Sequence, residues 1–202
     1  TGQLNQNGLD FYSQLVDALL EVGIEPCLTL YHWDLPQALQ DHGGWGNRET
    51  AYAFADYAQV VGKHLGDRVR FWLTHNEPWC TTFLSHSIGL FAPGLRDFRL
   101  AVQTTHHVLL SHGLAVQALR SVTNPEAKIG IALNIDAPYP ASESPEDLAA
   151  VRRQDGYFNR WFLNPLAGRG YPQDMWEHYG DLVPHMELRD LQQIAAPIDW
   201  LG

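Results

Sequence analysis

Residues 71–79 read FWLTHNEPW. Val69 to Leu73 is an apolar run of the kind that builds a buried strand, and it leads almost directly into an amide, a carboxylate and a proline, Asn76-Glu77-Pro78. A buried glutamate is costly to leave unpaired, so a Glu at the end of a hydrophobic strand points to use in chemistry. Other stretches repeat this form. Ile24 to Leu30 is a short apolar run that ends in YHWDLP, Lys128 to Leu133 (KIGIAL) ends in Asn134, and Pro197 to Leu201 (PIDWL) reads as one more strand.

Helical patterns lie between these runs. Phe11, Leu15 and Leu19, joined by Val16 and Leu20, share one face, and Gly23 stands where a C-terminal cap is expected. Phe54, Ala58, Val61 and Leu65 form a second pattern, capped near Asn47 and stopped at Gly66-Asp67. A third runs from Arg99 to Val122 and is ended by Asn124-Pro125; a long, mostly helical region spans Pro145 to Tyr179, broken near Asn164-Pro165.

Continuous apolar strands separated by helices are the sequence form of a parallel sheet covered by helices. A doubly wound sheet and an eight-fold barrel both fit, but no Gly-rich phosphate loop follows any strand, which weakens the first. His32, Trp33 and Asp34, Asn76 and Glu77, and Asn134 all collect just after strand ends, positions that a barrel sets on one rim. The expected fold is therefore α/β, one partial (β/α)8 barrel domain over residues 1–202 with about four parallel strands. A closed barrel needs eight strands and about 250 residues, so the sequence reads as the middle of something larger.

The 202 residues are 45% hydrophobic, enough for a substantial core. A net charge of −10, with 13 Lys and Arg scattered and no basic run, disfavours nucleic acid as a partner. No stretch approaches the roughly 18 apolar residues of a membrane span. Cys27 and Cys80 fit no disulfide framework or zinc spacing and read as free thiols of a reducing compartment, which points to the cytoplasm. The oligomeric state is not written in the sequence.

At the mouth of a barrel, flanked by Trp72 and Trp79, the Glu77 carboxyl would be partly desolvated, which favours the protonated form that a general acid needs. Asn76 offers an amide to hold a sugar hydroxyl. Trp33 offers a flat face for a pyranose, and His32 a polar ring for an equatorial hydroxyl. The competing readings are a Glu77 paired with a nearby arginine for structural reasons and a core aromatic cluster around a hydrogen-bonded His32. His106, His107 and His112 do not stack at i, i+4 on a helix and read as structural, so no metal and no cofactor are expected. Acyl transfer has little support without a GxSxG elbow.

With these residues in view, the chain resembles glycoside hydrolase family 1, the β-glucosidase family, over nearly its whole length. The likeness rests on GIEPCLTLYHWDLPQAL, GGW, DRVRFWLTHNEPW, APG, THHVLLSHG, KIGIALN, GYP and IDWLG. It implies a retaining β-glycosidase acting on a small β-glucoside or oligosaccharide, with Glu77 as the acid/base. Asn76 would hold the sugar 2-hydroxyl, His32 and Trp33 would line the glycone subsite, and Trp79 and Asn134 would stand toward the aglycone. A sugar-binding module that lost its nucleophile, and another barrel glycosidase family, are the alternatives.

Two departures stand out. His75 replaces the family's usual apolar residue, and strand parity would put it on the side of Glu77; yet both Asn76 and Glu77 serve the family's site, so the strand end must twist or bulge. The direction of His75 is thus open, and an inward His75 would give a more acidic pH optimum than Phe there. Secondly, the family's nucleophile, a Glu in an I/V-T-E-N-G motif, has no counterpart here.

Overall fold

The computed structural model describes residues 2–202. Four parallel strands, β1 (Cys27–Tyr31), β2 (Phe71–Asn76), β3 (Lys128–Ala132) and β4 (Trp200–Leu201), pair in sequence order. Each crossover is helical: α1 (Gln6–Glu21) leads into β1, then come α2 (Gln37–Gln40) and α3 (Glu49–Leu65), α4 (Phe98–Arg120), and the series α5 (Pro145–Asp155), α6 (Trp161–Leu166), α7 (Gln173–Tyr179) and α8 (Asp190–Ile194). Parallel strands in sequence order are the arrangement of consecutive barrel staves, and they rule out the strand reversal of a doubly wound sheet.

The helix-facing side of the sheet forms the core. Trp72 and Ile129 pack against Phe54, Ala58, Val61 and Leu65 of α3 and against Val108, Ala115 and Leu119 of α4. A second cluster joins Leu109 and Leu110 of α4 to Phe83, Trp161, Phe162 and Ile194. Glycines permit the closest approaches: a Cβ on Gly113 would lie 1.9 Å from the Gln193 carbonyl at α8, and one on Gly130 would lie 2.3 Å from the Trp200 carbonyl of β4. Around the helices, Asp190 (1% exposed) takes both arms of Arg48 at 2.8 and 2.6 Å and stands 2.8 Å from His106 Nε2, so one carboxylate ties α4 and α8 to the segment before α3.

Several expected elements differ in extent. Strand β2 continues three residues beyond Leu73, to Asn76, and β1 starts only at Cys27. The break in the last helical region falls at Ala167–Pro172, after Pro165 has been absorbed inside α6, and the segment Gly156–Arg160 is wound as a π-helix. The expected apolar face of α1 is mostly open: Val16 is buried, but Phe11 is 60% and Leu15 43% exposed. This helix leads into the edge strand β1 and is anchored through Arg68, which reaches Ser13 Oγ at 3.0 Å and Asp17 at 2.5 Å. No helix among the described residues is long and apolar enough to cross a membrane.

Candidate active site

The geometry of the site is set by an irregularity in β2. Its pairing with β3 runs from Leu73↔Gly130 to Asn76↔Ala132, three steps along one strand against two along the other. That is a bulge, and it reverses side-chain parity beyond it. Thr74 and His75 consequently both face α4, with Thr74 Oγ1 2.7 Å from His112 Nδ1 and His75 Nε2 2.8 Å from Ser111 Oγ. Asn76 and Glu77 are left at the mouth of the strand.

His75 therefore points away from the site. It is 0% exposed and sits among Phe54, Tyr31 and Trp45 at ring separations of 4.5, 5.4 and 5.5 Å. Ser111 spends its hydroxyl hydrogen on the Val108 carbonyl at 2.7 Å, so the histidine donates from Nε2. Burial first, and the nearby His112 second, hold its pKa well below the ordinary value. It is neutral, and the condition for a more acidic optimum is not met.

Glu77 is half-buried and has a backbone φ of 46°, the left-handed region that non-glycine residues seldom occupy. Its N–H donates to the Ala132 carbonyl at 2.9 Å, which holds the turn onto β3. Trp33, with φ 77°, is the second such residue at this rim. Its indole N–H donates to the Asn76 carbonyl at 2.9 Å, so the loop after β1 is bolted to the end of β2. His32 is exposed and lies edge-on to Trp33, ring centroids 4.9 Å apart. His32, Trp33, Asn76 and Glu77 are thus contiguous, and no arginine pairs with Glu77 among the described residues.

Immediately after Pro78 the chain enters a π-helix, Cys80–Ile88, whose wide turn lets Ser85 Oγ reach the Cys80 carbonyl at 2.8 Å. π-turns recur at functional sites because they re-aim side chains. Cys80, read from the sequence as a free thiol and not as a site residue, is brought to the carboxyl: its Sγ lies 3.5 Å from Glu77 Oε2 and 3.8 Å from Asn134 Nδ2. The available signal was spacing, since a residue three beyond an acid on a helical turn returns to its side. Asn134 so joins the group. Trp79 turns instead to Phe158, ring centroids 4.6 Å apart, and shares a crevice with Leu133, Asn134 and Phe162. A separate cavity of about 280 Å³ lies between Trp33, Trp45, Thr81 and Pro93; neither Glu77 nor His32 lines it.

The α4 histidines hold the scaffold. His107 Nδ1 donates to the Trp45 carbonyl at 2.9 Å, His106 bridges Asp190 and the Tyr171 hydroxyl, and His112 meets Thr74. Burial lowers the pKa of His107 to about 4 and of His112 to about 3.

The family model for glycosyl hydrolase family 1 matches residues 1–202. β-Glucosidase A of Acetivibrio thermocellus is 47% identical over all of this chain, which covers 45% of that protein. The β-glucosidase of Agrobacterium sp. is 44% identical, again over the whole chain and 44% of its own length. A Thermotoga maritima β-glucosidase solved in complex with deoxynojirimycin superposes with a TM-score of 0.96 at 44% identity, over 100% of this chain and 46% of that one. The chain spans a little under half the length of these relatives. Parallel staves, a strand-end Asn-Glu pair and matches over the whole of this chain all agree, and the chain belongs to glycosyl hydrolase family 1.

Proposed function

We propose that the whole protein bearing these residues is a retaining β-glycosidase that removes terminal β-D-glucosyl residues, with Glu77 as its general acid/base. The observation that carries this reading is the placement of the half-buried Glu77 at the mouth of β2, next in the chain to Asn76, whose carbonyl takes the Trp33 indole N–H with His32 packed edge-on to Trp33. A second carboxylate, roughly 5 Å away as retention requires, would attack the anomeric carbon. As that bond forms, the glycosidic C–O bond breaks, its electron pair goes to the departing oxygen, and Glu77 delivers a proton there. Glu77 then takes a proton from water, whose oxygen attacks the anomeric carbon and returns the nucleophile as a free carboxylate.

Around this carboxyl, Asn76 supplies the amide for the 2-hydroxyl, Trp33 a face for the sugar ring and His32 a hydrogen-bonding ring. Trp79 and Asn134 line a crevice with Phe158, and with Phe162 of α6, and this is where a leaving group would extend. The test is the configuration of the first product. Proton NMR of a fresh digest of an aryl β-glucoside by the whole protein is expected to show β-glucose first; α-glucose first would exclude retention, and no hydrolysis would exclude the activity.

A further inference from the structure

Glu77 must satisfy two demands that conflict. Its carboxyl needs a fixed rotamer to meet a glycosidic oxygen, and it must still be able to hold a proton. A Lys or Arg donor would orient the group but favour its ionised form. A neutral donor orients it without adding charge. The side chain that meets Glu77 here is Cys80, 7% exposed, at 3.5 Å from Oε2.

Resting on the reading of Glu77 as the acid, we infer that Cys80 is a positioning residue: its thiol donates to Oε2 while Asn134 Nδ2 donates to its sulfur, which aims the S–H and leaves Oε1 as the oxygen that carries the transferable proton. The sulfur at 3.8 Å from Asn134 accepts through a lone pair, so its hydrogen is directed elsewhere, and Oε2 is the acceptor in reach. Burial first, and the Glu77 charge beside it, push the thiol up to about 12, so it remains a donor through the neutral range. No proton leaves the sulfur at any stage. Oε2 accepts this bond in both protonation states of Glu77, so the same rotamer serves the acid step and the base step.

An effect exerted through Glu77 depends on the leaving group, whereas a packing effect does not. A dinitrophenolate departs without a proton; an alkoxide cannot. The kcat/KM of a retaining enzyme reports only the steps up to the covalent intermediate, in which Glu77 acts as the acid. In the whole protein, Cys80→Ala is expected to lower kcat/KM for an alkyl β-glucoside about three- to ten-fold, the range of one neutral hydrogen bond, and to leave that for dinitrophenyl β-glucoside unchanged. Cys80→Ser should restore most of the loss, and Cys80→Val, which keeps the volume and removes the donor, should show the same split as Cys80→Ala. Equal losses on both substrates, or none on the alkyl glucoside, would overturn the inference; Cys80→Val decides it should Cys80→Ala not fold. Glu77→Gln separates the two claims. If it keeps full alkyl-glucoside turnover, the assignment of Glu77 itself fails; if it loses that activity selectively and Cys80→Ala does not, only the role of Cys80 falls.

Discussion

Trp33 and Glu77 both hold left-handed backbone angles, 77° and 46°, that cost on the order of 1–3 kcal/mol each in a non-glycine residue. Such strain persists where the surroundings over-determine it, and here the restraints are identifiable: the Trp33 indole on the Asn76 carbonyl and the Glu77 amide on Ala132. Trp33→Phe keeps an aromatic face but leaves the Asn76 carbonyl without its donor. The loss of about 1–2 kcal/mol should appear as a five- to thirty-fold fall in kcat/KM on β-glucosides. Unchanged kinetics in that variant would show that the bond does not position the site.

At the scale of elements, the bulge in β2 is what lets a single strand aim Asn76 and Glu77 outward and His75 into the helices. Because His75 is buried and neutral, His75→Phe should give a pH profile that overlaps the wild type; a shifted optimum would place the imidazole in the site after all. The same helix layer predicts acid sensitivity. Below about pH 6.5 the unfolded chain binds a proton at His107 and His112, whereas the folded chain does not until about pH 4 and 3. Stability therefore falls as pH drops through that window, by about 1.4 kcal/mol per pH unit for each histidine. Asp190, held low by Arg48 and His106 against the cost of burial, loses its contribution only at lower pH and does not mask the effect. Thermal denaturation between pH 7 and 4.5 should show a falling Tm with a shallower slope in His112→Gln, and a flat Tm would contradict it. The strands and the polar residues at their ends were legible because continuous apolar runs and abrupt polar ends are local signals. The bulge was legible only as a necessity, since parity arguments do not say which residue is extra. The π-helix at Cys80–Ile88 follows no period that a 3.6-residue pattern detects, whereas the return of Cys80 to Glu77 is an i, i+3 turn that spacing could have suggested. Phe11 and Leu15 also lie on a helical stripe, yet burial depends on a neighbour that the stripe cannot specify.

For the molecule as a whole, four staves in the order β1-β2-β3-β4 would, on the proposed reading, present one carboxyl of the two that retention needs. These 202 residues on their own should have negligible activity on aryl β-glucosides; turnover by the purified segment that Glu77→Gln abolishes would refute this. If Glu77 is the acid/base of the whole protein, removing it opens the face of the sugar from which water would attack. An added anion can take its place there without needing a base. The decisive measurement is the anomeric configuration of the glucosyl azide that Glu77→Ala forms from dinitrophenyl β-glucoside in azide buffer. The β-azide, formed faster than the variant hydrolyses the substrate in buffer alone, is the predicted product; the α-azide, or no azide adduct at all, would contradict the assignment of Glu77.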